Sequence, residues 1–398
     1  MATAKDETIK EVEDTKVKGK KNSTKEDEAK ELSEALAQKT ERKKAFFKDI
    51  KKVNAAIQKK SGDTDTVIAT ISDFGVGASV KRFSSGSLVL DSISGGGFPK
   101  GRVIEIYGPE ASGKTSIALN GIANIQREGG NAVFIDAEQA LDTNYAKILG
   151  VNVDNLALAQ ISVAEDALQL CVDLASAGNT DLIVVDSVAA LVPKAEAEGG
   201  MDKQQVGLMA RIMSKGLRVL TPICAKNNVT IIFLNQIREK VGVMFGNPET
   251  TPGGKALKFF ASQRIEIRKK TQEKVDNEII GTVVKMKMVK NKVAAPFKEG
   301  LTVLTFLHGI NRPAELLVVG EEKGILFKQG NSYFYDPKGK EIPLADDQPA
   351  VVSDNLIKLG SKKADALTSL ENNKELYEAI SETLSEYIAN EREGQSTY

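Results

Sequence analysis

Four apolar runs of strand length govern what this chain can fold into. Val103-Ile104-Glu105-Ile106-Tyr107, Ala132-Val133-Phe134-Ile135, Leu182-Ile183-Val184-Val185 and Thr230-Ile231-Ile232-Phe233-Leu234 alternate with stretches of helical patterning. They end on Gly108, Asp136, Asp186 and Asn235. Near-continuous apolar strands are buried on both faces, so the expected fold class is α/β, a mostly parallel sheet covered by helices on either side. The intervening helices are expected at Ser116 to Glu128, closed by Gly129-Gly130, at Ala164 to Ala177 and at Val206 to Lys226.

The flanks read differently. With 398 residues the chain is too long for one small core and suggests two or three units. Residues 1–30 are mixed charges with almost no large apolar side chain, the composition of a disordered tail. Residues 31–75 read as a helix, with Leu36, Phe46, Ile50, Val53 and Ile57 on helical spacing, and a short strand at Thr66 to Ile71. That is too little for a core of its own, so this element folds back on the main domain or docks on a neighbouring subunit. Residues 76–318 form the expected core. Its last part, Arg264 to Arg268, Thr282 to Val289 and Leu301 to Leu307, alternates polar and apolar as antiparallel strands extending the sheet do. Residues 319–398 read as a separate small C-terminal α/β unit.

Composition narrows the chemistry by exclusion. The 54 basic and 54 acidic residues cancel, so a nucleic-acid partner must be argued from local patches. Cys171 and Cys224 lie in apolar stretches and read as buried thiols. His308 stands alone, which speaks against a zinc site. No apolar run approaches the roughly 20 residues that span a bilayer, and the N-terminus is too acidic for a transit peptide. The expectation is a cytoplasmic protein with no membrane partner.

Gly108-Pro109-Glu110-Ala111-Ser112-Gly113-Lys114-Thr115 fits G-x-x-x-x-G-K-[ST], between an expected strand and an expected helix. Glycines let such a loop turn its N–H groups onto phosphate oxygens, and the helix adds its positive end. Lys114 neutralises phosphate charge and the Thr115 hydroxyl ligates Mg²⁺. Asp186 ends an apolar strand; on its own it could be a helix cap, but beside a P-loop it holds the same Mg²⁺. ATP and Mg²⁺ are therefore the expected cofactors. A water-polarising carboxylate is expected just past Ile135, and spacing alone leaves Asp136 and Glu138 as alternatives.

Longer signatures surround these residues. The P-loop, Phe134-Ile135-Asp136-Ala137-Glu138, Val184 to Leu191, Asn235-Gln236-Ile237-Arg238, Gly242 to Gly254 and Val289 to Phe297 together resemble the bacterial RecA recombinase family, from about Phe46 to Val319. The resemblance implies a RecA-like P-loop ATPase core with a small N-terminal polymerisation element and a small C-terminal domain. It implies that Glu138 is the catalytic glutamate and that Asp142 and Tyr145 contact the adenine. Gln236 would sense the γ-phosphate, and Lys290 and Lys292 would reach the ATP of the adjacent subunit. Lys258 and Phe259 would lie at the subunit interface.

Two segments, about Glu196 to Gln205 and Glu239 to Gly254, resemble the family's DNA-binding loops. Phe245, Gly253 and Gly254 would meet single-stranded DNA, with Arg211, Arg218, Arg268, Lys285 and Lys287 adding charge. For each single cation, a solvated surface charge is the plainer alternative. The implied partners are single-stranded DNA, homologous duplex DNA and further copies of the chain in a helical filament. The resemblance extends to promoting self-cleavage of a LexA-type repressor, which no residue marks. The chain departs from the family pattern in its charged tail before Glu31, in Lys255, in Glu198 to Lys203, and in Ile342 to Asp347. Two other classes share some of these features. A ring helicase would lack the Val289 to Lys292 strand and the Phe245 loop, and a scaffold that merely holds ATP would not need Lys114, Glu138 and Asp186 together.

Overall fold

The computed structural model describes residues 25–61, 68, 80–199, 207–239, 249–275, 278–337, 351–352 and 356–395. The chain divides into two compact units, residues 1–79 and 80–398.

In the first unit, helix α1 spans Lys25–Ser61, starting ahead of residue 31, the expected start of the helical element. It contains no Gly or Pro and is rich in Ala, Glu, Lys and Gln, all strong helix formers. Lys59 and Lys60 in the last turn suit the negative end of the helix dipole. Asn54 holds Ile68 through a two-way bond: its Nδ2 donates to Ile68 O and its Oδ1 accepts from Ile68 N, both at 2.8 Å. The rest of the expected Thr66 to Ile71 strand lies outside the described residues.

The second unit is built on a nine-stranded sheet. Its strands are β1 (Val103–Gly108), β2 (Ala132–Asp136), β3 (Leu156–Ala159), β4 (Leu182–Asp186), β5 (Thr230–Gln236), β6 (Gln263–Val275), β7 (Glu278–Asn291), β8 (Glu299–Thr305) and β9 (Gly309–Ile310). Their spatial order is β9-β8-β7-β6-β1-β5-β4-β2-β3. The run from β6 to β3 is parallel, and β7, β8 and β9 add antiparallel to it. The first of the expected antiparallel strands, β6, therefore pairs parallel with β1. The chain between the end of β5 at Gln236 and the start of β6 at Gln263, which includes helix α7 (Ala256–Phe260), is long enough for the crossover that a parallel strand requires.

The period of two assigns the two faces. Ile104, Phe134, Val184 and Ile232 pack into one cluster with helix α3 (Lys114–Arg127), while Val133, Ile183, Val185 and Phe233 pack into the other. Helices α5 (Ala164–Ala177) and α6 (Leu208–Asn227) cover that second face through Leu168, Cys171, Met213, Leu217 and Cys224. Both cysteines are free and buried. Short helices α2 (Leu88–Ser94) and α4 (Thr143–Ile148) complete the first face.

The C-terminal segment begins inside helix α8 (Arg312–Glu322), which runs across the boundary expected at 319. Strands β10 (Leu326–Gln329), β11 (Ser332–Tyr335), β12 (Val351–Val352) and β13 (Leu356–Gly360) form a four-stranded sheet, followed by helices α9 (Lys363–Asn372) and α10 (Lys374–Gln395). Tyr335, Leu359, Leu376 and Ile380 join the same apolar cluster as α8 and the first face of the large sheet. The expected departure at Ile342 to Asp347 lies outside the described residues. Among the described residues, no helix is long and apolar enough to cross a membrane.

Candidate nucleotide site and DNA-facing surface

Register brings the carboxyl ends of the parallel strands level. Gly108 stands opposite Gln236, and Asp136 opposite Asp186. Beyond these ends the P-loop turns through left-handed conformations at Ala111 (φ +50°) and Gly113 (φ +93°). At Gly113 the left-handed φ strains any side chain, and a Cβ would lie 2.2 Å from Leu304 Cδ1, so glycine is favoured. Helix α3 starts at Lys114 with no side-chain cap on its first N–H groups, which leaves them for an anion. The buried Ser112 Oγ has no hydrogen-bond partner among the described residues, a second sign that the cradle fits phosphate oxygens.

The charged groups converge there. Lys114 is buried, and its Nζ donates to Pro109 O at 2.8 Å and to Gly108 O at 3.3 Å. Burial pulls its ammonium below the usual lysine range, against the pull of Asp186, Glu138 and Glu110. Thr115 Oγ1 donates to Asp186 Oδ2 at 2.7 Å. Burial pushes the Asp186 carboxyl up to about 6; the Thr115 bond opposes this and the nearby Glu138 charge adds to it. A hydroxyl and a partly desolvated carboxylate beside a phosphate cradle are a donor set suited to Mg²⁺. No cluster of three or more His, Cys, Asp or Glu forms a metal site among the described residues; a P-loop metal takes its remaining ligands from phosphate and water.

The two carboxylates left open by spacing have different surroundings. Asp136 is buried and accepts from Ala140 N (3.3 Å) and Leu141 N (3.1 Å), one on each oxygen, so it ties down the following loop. Glu138 is exposed. Its Oε1 accepts from Ser187 Oγ at 2.6 Å and from Gln236 Nε2 at 3.2 Å. Both bonds fall on Oε1, and Oε2 makes no hydrogen bond among the described residues. Ser187, which the sequence reading did not single out, thus sets the carboxylate's orientation.

Asp142 caps α4 by accepting from Asn144 N and Tyr145 N. Tyr145 OH shares a hydrogen bond of 2.9 Å with Ser116 Oγ. Tyr145, Ala111, Ser112, Lys114, Leu304 and Phe306 line a cleft of about 300 Å³. Phe306 is 59% exposed and was hidden in the sequence inside a run that reads as strand.

Lys290 and Lys292 lie elsewhere. Lys290 pairs in register with Arg264, which pairs with Glu105. That is three residues short of Gly108 along β1 and two strands across. Lys290 Nζ donates to Lys258 O (2.6 Å) and Phe259 O (3.0 Å), and Lys292 Nζ to Phe259 O (3.4 Å), at the carbonyl end of α7. Burial, then the Lys292 charge, pulls Lys290 down to about 8. Phe259 itself is 68% exposed.

On α6, Arg211 and Arg218 are exposed seven residues apart, hence on one face. Lys215 lies between them on the same stripe, a member that helical spacing could have revealed. Gly253 and Gly254 adopt φ +81° and +71°, and a Cβ on Gly254 would lie 2.7 Å from Ala210 Cβ, next to Arg211. Gly254→Ala is therefore expected to lower stability by at least about 1 kcal/mol, read as a lower urea midpoint; an unchanged midpoint counts against this packing.

Phe245 and most of both loops lie outside the described residues. Arg268, Lys285 and Lys287, read from sequence as adding charge for DNA, are all ion-paired within the chain. Arg268 pairs with Glu249 and Glu266, and Lys285 and Lys287 share Glu299. Strand pairing sets Glu299 opposite Lys287, and the two lysines hold its carboxyl down at about 2.

A phosphate loop between β1 and α3, with Thr115 bonded to Asp186 and a carboxylate past β2, defines a P-loop nucleotide-binding protein of the α/β class. A family model for the RecA N-terminal domain matches residues 48–311. Among curated relatives, a protein RecA of Mesomycoplasma hyopneumoniae (strain 7448) is 48% identical over 316 residues, covering 79% of this chain and 88% of the relative. Protein RecA of Bacillus subtilis (strain 168) is 44% identical over 340 residues, covering 85% and 89%. The chain belongs to the RecA family, DNA-dependent ATPases of recombination and DNA repair.

Proposed function

We propose that this chain hydrolyses ATP at a site completed between two copies, assembled as a helical filament on single-stranded DNA, and pairs that strand with homologous duplex. One observation supports the split site most: Lys114, Thr115, Asp186, Glu138 and Gln236 converge beyond the strand ends, while Lys290 and Lys292 stand at another level of the sheet.

In this reading residues Gly108 to Thr115 cradle the phosphates and Tyr145, with Asp142, flanks the base. Thr115 and Asp186 would hold Mg²⁺, which neutralises developing phosphate charge. Glu138, turned by Ser187 and Gln236, takes a proton from water through Oε2 as that water attacks the γ-phosphorus, and the bond from that phosphorus to the β,γ-bridging oxygen breaks so that ADP leaves with the electron pair. Lys114 stabilises the charge on the phosphate oxygens from within the chain, and Lys290 and Lys292 do so from the adjacent copy, with Lys258 and Phe259 at that interface. Arg211, Lys215 and Arg218 face DNA phosphates beside Gly253 and Gly254, and Phe245 contributes an apolar contact to the bases. Arg268, Lys285 and Lys287 contribute only once their acidic partners are displaced. A cytoplasmic location and stimulation of a LexA-type repressor's self-cleavage go with the same filament.

The test is ATPase activity with and without single-stranded DNA, with filament imaging. DNA-stimulated turnover and open helices are expected. Closed rings favour another P-loop motor, and no stimulation with no filaments ends the recombinase reading. A finer check is the salt dependence of DNA affinity. Replacing any one of Arg211, Lys215 or Arg218 by Gln should flatten the slope by roughly 0.7; an unchanged slope removes that residue from the contact.

A further inference from the structure

Glu105 is a carboxylate in the central strand of the sheet, fully buried. Burying a charge is strongly unfavourable unless it is paired, and an apolar pair of similar size would serve stability as well. Its partner is Arg264, also buried, whose Nε donates to Glu105 Oε2 at 2.5 Å and whose guanidinium lies 4.5 Å from the Tyr107 ring centre. The remaining oxygen, Oε1, accepts from Asn235 Nδ2 at 3.2 Å.

Asn235 is itself fully buried and fully used. Its Nδ2 also donates to Pro252 O at 3.1 Å, and its Oδ1 accepts from Gln236 N at 3.0 Å. Asn235 stands near the end of β5, just ahead of the second loop, and Pro252 O lies near that loop's far end. One side chain therefore closes the base of that loop. A carboxylate can only accept, so the Glu105–Arg264 pair fixes which way the Asn235 amide points.

Each side of this closure leads to a working surface. The Gln236 side chain donates to Glu138 Oε1. Past Pro252, Gly253 would crowd Val188 and Met213 if it carried a Cβ, and Gly254 would crowd Ala210, the residue before Arg211. We propose that Asn235, oriented by the Arg264–Glu105 pair, is the positioning residue that couples nucleotide state to DNA affinity by tying the far end of the second loop to the end of β5. The inference rests on the proposed function, because it needs Gln236 to respond to the γ-phosphate and the loop to meet DNA.

The test uses the full chain and a labelled oligo-dT. Its affinity is measured with a non-hydrolysable ATP analogue and with ADP, and the ratio of the two is the coupling. Ratios of about 5 to 150 are typical of coupled sites. Asn235→Ala is expected to bring the ratio to within about two-fold of 1, while fluorescent ADP still binds within about two-fold of wild type. A merely structural role would weaken all binding together and leave the ratio unmoved. A ratio kept near the wild-type value overturns the proposal. If Asn235→Ala does not fold, Asn235→Asp combined with Glu105→Gln decides. That pair rebuilds the bond between positions 105 and 235 with donor and acceptor exchanged, but sets a carboxylate against Pro252 O. The same loss of coupling is expected, and a retained ratio overturns the proposal. A wild-type ratio near 1 is a different failure: it overturns the underlying DNA-dependent reading, and this inference with it.

Discussion

Replacing Glu138 by Gln lowers the DNA-stimulated kcat by about 10²–10⁴-fold and leaves nucleotide affinity near wild type. The substitution keeps the shape of the side chain and an oxygen that still accepts from Ser187 Oγ and Gln236 Nε2. What it removes is the basic Oε2 that would take the proton from water. Loss in kcat without loss in binding is the signature of a group used in the transition state. Ser187→Ala should have a smaller effect in the same direction, about 10-fold, because Gln236 still holds Oε1. Asp136→Asn makes the contrasting control. Its oxygens tie Ala140 N and Leu141 N, so damage there should appear in stability and in nucleotide binding together. Turnover by the Glu138→Gln protein within a few-fold of wild type would remove Glu138 from the chemistry.

The second large effect concerns Lys290 and Lys292. Changing both to Ala should lower kcat by about 10³-fold or more, the scale of a charge supplied by a neighbouring subunit. The decisive experiment mixes two inactive proteins. Glu138→Gln lacks the base but carries both lysines; the Lys290→Ala, Lys292→Ala protein lacks the lysines but carries the base. When the two alternate in one assembly, some sites receive Glu138 from one copy and lysines from the next. Activity should return on mixing, up to about a quarter of wild type for random order, because only one neighbour arrangement in four is complete. No recovery in mixed assemblies that still form would place the lysines in their own chain's chemistry or outside it. The pH behaviour has a defined sign. The folded Lys290 sits at about 8, below the ordinary lysine value, so its cationic form is lost as pH rises through that value. Activity limited by assembly of the site should therefore fall from about pH 8 upward, and the Lys290→Arg protein should not show this fall.

Much of this was readable from residue order, for reasons that differ by element. β1, β2, β4 and β5 were legible because strands buried on both faces must be nearly all apolar. β3 was not: Leu156-Ala157-Leu158-Ala159 consists of good helix formers, and only its place at the open edge beside β2 makes it a strand. The parallel pairing of β6 with β1 was equally hidden, because alternation reports a strand's faces and not its direction. At the site, the P-loop carries its own signature, whereas Ser187, Phe306 and the Glu105–Arg264 pair depend on segments distant in sequence. Whether a lysine is free or paired depends on its cross-strand neighbour, which explains why Lys285, Lys287 and Arg268 looked alike in sequence to Arg211 and Arg218.

The placement of Lys290 and Lys292 on a different level of the sheet from the P-loop has a consequence for any polymer of this chain. If the lysines act on the adjacent copy as proposed, joining one level of a subunit to the other level of the next is a head-to-tail contact, and where its rotation does not close into a ring it leaves an open chain of subunits with two unlike ends. At one end a P-loop lacks its lysines; at the other, lysines face solvent with no phosphate to meet. A filament thus always holds one fewer complete site than it has subunits. Each interior subunit is held by two nucleotide bridges and each terminal subunit by one, but the two termini offer an incoming copy unlike halves of the site. Direction of growth along a DNA strand would then be written into where two lysines sit, one at the end of a β-strand and one just past it.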